Sequence, residues 1–244
     1  IQVPPPMGPD FRGTVMSTYS PEYIQDMGRK PIFAWMRDLA RAVGPGIVID
    51  PGENGFPEYN RLDDLTCLAN SALPLAFDIE TVGYSDSIDR LGLSDGNYTV
   101  SLPWSEHTRK LARKLLGDPL RLKVAHNITF DVPRLEKAGV EVVGPIWDTM
   151  IAHQILQPDL PKGLGRVASL YCDLAVPWKA ESERLPEAYN AKDTWVLPHI
   201  QREEEAFLKD EGMLELFQGM MRTVPVLMEM ERAGIRVDRK ANAK

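Results

Sequence analysis

The sequence predicts an α/β fold, a mixed five-stranded sheet flanked by helices. Three observations carry that expectation. The apolar run Leu75-Ala76-Phe77 leads a strand into Asp78-Ile79-Glu80. Residues 91–94 and 98–102 flank Asp95-Gly96-Asn97, a hairpin signature, so the first three strands read as an antiparallel meander. Beyond Ser105, strand-like and helix-like periods alternate, as they do in chains that cover a sheet with helices.

The elements follow in order. Pro4-Pro5-Pro6 gives an extended start, residues 13–17 a strand, and Ser20-Pro21 a turn. Residues 31–43 have helical spacing, with Ile32, Trp35, Met36, Leu39 and Ala42 on one side. A short strand at 47–50 and a short helix at 61–69 precede the meander. Ser105 caps a helix carrying Leu111, Leu115 and Leu116, closed by Gly117. Residues 122–126 form a fourth strand, and 127–138 a helix ending at Gly139. Val142-Val143 supplies a short fifth strand. Helices follow at 148–156 and 164–171, then a loop holding Trp178-Lys179 and a helix over 186–208. Pro198 is expected to kink or divide that last helix. From Met213 a methionine-rich helix begins.

The 244 residues, 43% hydrophobic and 26% charged, suit one sizeable domain with attachments. No apolar run approaches membrane-spanning length and no signal peptide is visible, so no membrane partner is expected. A net charge of −7 argues against a broad grip on phosphates. It is not decisive, since an enzyme that gathers acids to hold metals and grips only a few nucleotides can be acidic overall. Cys67 and Cys172 lack zinc-ligand spacing and read as core fillers. Ile1 at the start and Asp238-Arg239-Lys240 near the end read as cuts through something longer.

Alternation along the strand sends Asp78 and Glu80 to one face and Phe77 and Ile79 to the other. Two adjacent carboxylates repel, and a cation relieves that cost. Asp131, just after the fourth strand, can project towards this pair. Lying two residues before Pro133, it can equally be an N-cap. Tyr189 and Asp193, four residues apart, share a helix face. With Glu187 and Lys192, that face reads as well as a solvated one.

Taken together and in this order, Asp-x-Glu, Asn-x-x-x-Asp and Tyr-x-x-x-Asp resemble the three motifs of the tyrosine branch of the DEDD exonuclease superfamily. Trp147-Asp148-Thr149-Met150, the run from Gly163 to Ala168, and Trp178-Lys179 are similar to linking segments of the same domain. The stretch from Val224 to Asp238 is similar to the opening of the polymerase domain of family A DNA polymerases, with departures at Arg222-Thr223 and Pro225-Val226. Thr18-Tyr19-Ser20-Pro21 resembles a closing segment of the uracil-DNA glycosylase superfamily, with Ser20 where that pattern has histidine.

The resemblance implies an RNase H-like fold and three parts. Residues 1–45 are an extension or the remnant of a preceding domain, 46–212 a 3′-5′ exonuclease domain, and 213–244 the start of a polymerase domain. It implies proofreading of DNA by two divalent ions, Mg2+ or Mn2+. Asp78 would bridge the ions, Glu80 and Asp193 would complete the site of the attacking water, and Asp131 would support the second ion. Tyr189 would orient the water, Thr81 would meet the 3′-terminal nucleotide, and Asn127 the strand near the scissile phosphate. The implied partners are a single-stranded DNA 3′ end and the polymerase domain of the same native chain, in a cytoplasmic bacterial or phage-type setting. Two alternatives stand beside this: a stand-alone RNase D-like exonuclease acting on RNA, and a non-catalytic module holding DNA or a partner domain. His126 reads as structural. Phe130, Trp178 and Trp195 are candidates for base stacking, although Phe130 and Trp195 fit better as core.

Overall fold

The computed structural model describes residues 56, 58–83, 85–172, 178–179, 182 and 184–236. The expectations for residues 1–50, including the strands at 13–17 and 47–50, the helix at 31–43 and the glycosylase-like segment, lie outside the described residues.

The sheet contains β1 (Leu75–Thr81), β2 (Ile88–Ser94), β3 (Thr99–Pro103), β4 (Lys123–Ala125) and β5 (Ile146–Asp148). Its order is β3-β2-β1-β4-β5. The first three strands pair antiparallel, as the hairpin signature requires. β4 and β5 add on parallel, each after a helical connection. At the β2–β3 turn Asp95 accepts from the backbone N–H groups of Asn97 and Tyr98, at 3.0 and 2.9 Å.

Seven helices surround the sheet among the described residues: α1 (Asp64–Asn70), α2 (Glu106–Leu116), α3 (Ile128–Lys137), α4 (Thr149–Leu156), α5 (Leu164–Tyr171), α6 (Pro186–Asp210) and α7 (Leu214–Ala233). The Ser105 hydroxyl accepts from the Thr108 N–H at 3.1 Å, the expected cap of α2. On one side of the sheet, Phe77, Ile79, Leu91, Leu93 and Val100 pack with Leu115, Leu116, Val132 and Leu135. On the other, Ala76 and Val124 meet Trp147, Ala152, Leu197 and Phe217. Since side chains alternate, Asp78 and Glu80 lie on this second side with Ala76. α6 packs across β1, β2 and β3 there. α7 is tied to both cores, through Val224 and Met228 to the first and Phe217 to the second.

Three expectations change. The fifth strand is Ile146–Asp148, not Val142-Val143. The Val143 N–H bonds the carbonyl of Leu116, and the chain then turns at Gly144, whose φ is +86°. A Cβ at Gly144 would lie 2.4 Å from the Pro119 carbonyl oxygen, so the chain passes too close to the end of α2 to start a strand there. α3 begins five residues before Pro133, which puts Asp131 inside the first turn rather than at the cap. Last, α6 runs unbroken through Pro198. The lost backbone bond is outweighed because Trp195, Val196, Leu197 and Ile200 around it are all buried.

At Gly92 α6 and the sheet approach closely. A Cβ there would lie 2.0 Å from Thr194 Oγ1 and 2.8 Å from Asn190 Oδ1. Gly92→Ala is therefore expected to destabilise the fold by ~1–3 kcal/mol through overpacking. A lowered urea midpoint with an unchanged m-value would register it; an unchanged midpoint would contradict this packing.

Candidate active site

β1 carries Asp78 and Glu80 to the sheet's α6 side, and α6 brings Asp193 against them. One carboxylate oxygen from each of the three residues lies within 4.8 Å of the others. Asp131 approaches from α3. Its Oδ1 accepts the Ile79 backbone N–H at 3.1 Å, which anchors the start of α3 onto β1 between the two acids. Tyr189 stands one turn before Asp193 on the same helix, its phenol within hydrogen-bonding reach of that carboxylate. The structure thus gathers Asp78, Glu80, Asp131, Tyr189 and Asp193 from three elements far apart in sequence.

The electrostatics are those of acids buried and crowded together. Burial pushes the Asp78 carboxyl well up, and Asp131, Asp193 and Glu80 push it further by repulsion. Burial, with Asp193 and Asp89 adding repulsion, raises Glu80 to about 7. Burial also raises Asp131 to about 8, against the opposing Ile79 N–H bond. Asp193 rises to about 6, again by burial, although Trp178 and Tyr189 donate to it. The Tyr189 phenol is pushed far above its usual range by burial and by the neighbouring acids. Each shift has the same meaning: charge in this pocket is costly until something positive enters.

The Trp178 indole is buried and donates its N–H to Asp193 Oδ1 at 2.5 Å. It is therefore not a stacking platform, and no spacing in the chain announces this bond. Trp178→Phe removes the donor and keeps the ring's bulk, so metal affinity is expected to fall ~10-fold, as loss of a group orienting a ligand does. Titration with Mn2+ checks this, and wild-type affinity would refute it. Trp195 is buried, with its indole N–H on the Gly96 carbonyl at 3.0 Å, the expected core role. Phe130, expected in the core, is 37% exposed beside Asp131, and the Arg134 guanidinium lies 3.7 Å over its ring. The first turn of α3 turns this side chain away from the sheet while Asp131 turns towards it.

Thr81 ends β1 at an irregularity in its pairing with β2, and its hydroxyl donates to the Gly83 carbonyl at 3.2 Å. Asn127 is the residue before α3, in the left-handed region with φ +67°. Its Oδ1 accepts from the Thr129 hydroxyl. Both side chains are engaged locally. Asp148 holds this corner in place: it accepts from the N–H groups of Asn127 and Ile128 and of Met150 and Ile151, joining the starts of α3 and α4. His126 is tied on both ring nitrogens, at 2.8 Å to the Thr149 hydroxyl and at 2.8 Å to the Lys162 carbonyl. Burial lowers its pKa, so it serves as a neutral brace.

An oxygen-only set of acids suits Mg2+ or Mn2+ and offers nothing to a metal that needs sulfur or imidazole. The raised carboxyls are the observation that fits such an ion: it would relieve the repulsion that the fold imposes.

DNA polymerase I of Synechocystis sp. is 28% identical over 213 residues, 72% of this chain. The chain spans only 21% of that relative's length. Brucella melitensis NrnC with bound Mg2+ has a TM-score of 0.58 at 23% identity, covering 66% of this chain and 86% of that one. Escherichia coli RNase D, an exoribonuclease, has a TM-score of 0.55 at 20% identity, covering 73% and 50%. At these identities the two structures show a shared fold, the RNase H-like sheet and its helices. The 3′-5′ exonuclease family model matches residues 58–203, which contain all five gathered residues, and the chain belongs to that family.

Proposed function

We propose that this chain removes nucleotides from single-stranded or mispaired DNA 3′ ends by metal-dependent hydrolysis, as the proofreading module of a family A DNA polymerase. The observation that carries the reading is the convergence of Asp78, Glu80 and Asp193 within 4.8 Å, with Asp131 beside them. These four acids would hold two divalent cations. Such a pair, when bound, supplies an activated water and relief of charge on the departing 3′ oxygen.

The chain's own residues supply the positioning. Tyr189 keeps its proton at any working pH, so it orients water by hydrogen bonding and does not serve as a base. Trp178 fixes one oxygen of Asp193, and Tyr189 faces the same carboxylate. Phe130, half turned to solvent with Arg134 over one face, offers an aromatic edge beside Asp131 for a terminal base. The polymerase setting is supported by the relative in Synechocystis sp. and by the segment from Val224 onward.

A second reading, a stand-alone exonuclease acting on RNA, is favoured by the fold likeness to NrnC and RNase D. Matched 5′-labelled DNA and RNA single strands separate the two. The expected result is Mg2+-dependent shortening from the 3′ end with DNA degraded faster; a preference for RNA would overturn the proofreading assignment in favour of the second reading. Absence of shortening for either strand would return the chain to a non-catalytic role.

A further inference from the structure

Asp78, Gly92 and Ser101 lie in one row across β1, β2 and β3, each paired with the next in register. The middle position has no side chain. Into that gap α6 inserts Asn190, which is fully buried. Its Oδ1 accepts from the Ser101 hydroxyl at 2.7 Å and its Nδ2 donates to Asp78 Oδ2 at 2.8 Å. The side chain thus bridges the two ends of the row, and a Cβ at Gly92 would lie 2.8 Å from Asn190 Oδ1. The Arg90 guanidinium, which can only donate, approaches Ser101 Oγ at 3.5 Å, which leaves the serine proton available to Asn190. The backbone of Ser101 is itself held by Asn60, which accepts its N–H at 2.8 Å and donates to its carbonyl at 3.1 Å.

We propose that Asn190 is a positioning residue for metal binding: with Ser101 behind it, it fixes the Asp78 carboxylate so that Oδ2 is restrained by the amide and Oδ1 is presented to the cation. Among the described residues no donor bonds Oδ1. The inference rests on the metal-site reading above and adds the part that aims its central ligand. A carboxylate free to rotate would spend orientational freedom on each binding event, whereas one fixed by a buried amide does not.

The test is direct Mn2+ binding to the full chain, by calorimetry without substrate, for wild type, Asp78→Ala, Asn190→Ala and Ser101→Ala. Thermal unfolding in EDTA and Mg2+ titrations of activity accompany it. Asn190→Ala is expected to weaken Mn2+ binding 10- to 100-fold, on the scale seen for groups that orient metal ligands. Ser101→Ala should weaken it by a smaller factor in the same direction. The Mg2+ concentration for half-maximal rate should rise with it, while the oligonucleotide KM and the rate at saturating Mg2+ stay near wild type. A merely structural amide would lower the unfolding midpoint and leave Mn2+ affinity alone; that outcome overturns the proposal. If Asn190→Ala fails to fold, Ser101→Ala decides, and wild-type affinity there overturns it. Loss of Mn2+ binding in Asp78→Ala with wild-type affinity in Asn190→Ala rejects this inference and leaves the metal site standing, whereas a wild-type chain that binds no Mn2+ rejects both.

Discussion

Asp78→Ala is expected to abolish Mg2+-dependent nucleotide release, by ~10³-fold or more, while leaving the domain folded. The reason lies in where the residue sits. Asp78 is the only one of the three clustered acids bonded by a fixed amide, and it is repelled by Asp131, Asp193 and Glu80 together. Removing it deletes the repulsion from three acids but also takes the acceptor from the buried Asn190 amide; the two effects oppose each other, so the metal-free fold loses little. It also removes the acid that the other three all repel, and under the proposed function that loss falls on activity. Asp131→Ala should behave differently. It leaves the buried Ile79 N–H without its acceptor, at a cost of ~1–3 kcal/mol, and should lower stability along with activity. Single-turnover release from a labelled oligonucleotide, read beside thermal melts in EDTA, separates the two cases. Undiminished release in folded Asp78→Ala would refute the proposed mechanism.

Much of this site was legible because its residues obey local periodicities. Period two in β1 put Asp78 and Glu80 on one face, and period 3.6 in α6 put Tyr189 above Asp193. The meander was legible from Asp95-Gly96-Asn97, whose turn chemistry acts within three residues. What could not be read is what depends on distant packing. The fifth strand was misplaced because Val142 and Val143 have the better strand propensity, yet Gly144 must pass within reach of the Pro119 carbonyl and only Ile146–Asp148 lies free to pair with β4. Asp131 looked like a cap because Pro133 is a good early-helix residue; the bonds of Asp148 to the Asn127 and Ile128 N–H groups start the helix sooner. Nothing in the sequence singled out Asn190. It gains its role from Gly92 and Ser101, about ninety residues upstream, and no spacing within α6 announces that.

The metal-free protein is expected to lose stability as pH rises from about 6.5 to 8, and Mg2+ is expected to restore it. A carboxyl raised in the folded state binds its proton where the unfolded chain has already lost it. Stability then falls with pH until the folded pKa is passed. Glu80, raised to about 7, and Asp131, raised to about 8, both titrate in or beyond this window. His153 and His199, lowered to about 4 by burial, work in the opposite direction. They add stability as pH rises, but only up to the ordinary histidine value near 6.5. Below that pH the two trends offset each other; above it the acids act alone. For Asp131, 3% exposed, 1.5 pH units correspond to ~2 kcal/mol, or a fall in midpoint of ~4–8 °C for a domain of this size. Buried Glu204, also raised, contributes to the slope from outside the cluster, beside Trp147. The cation arm isolates the cluster's share, because Mg2+ neutralises the acids it binds and should not reach Glu204. Melts in EDTA at pH 6.5 and 8, repeated in Mg2+ and with Asp131→Asn, therefore make a closed set. The slope should shrink in Mg2+ and in the variant. An equal slope in EDTA and Mg2+ would mean that the clustered acids are not where the cation binds.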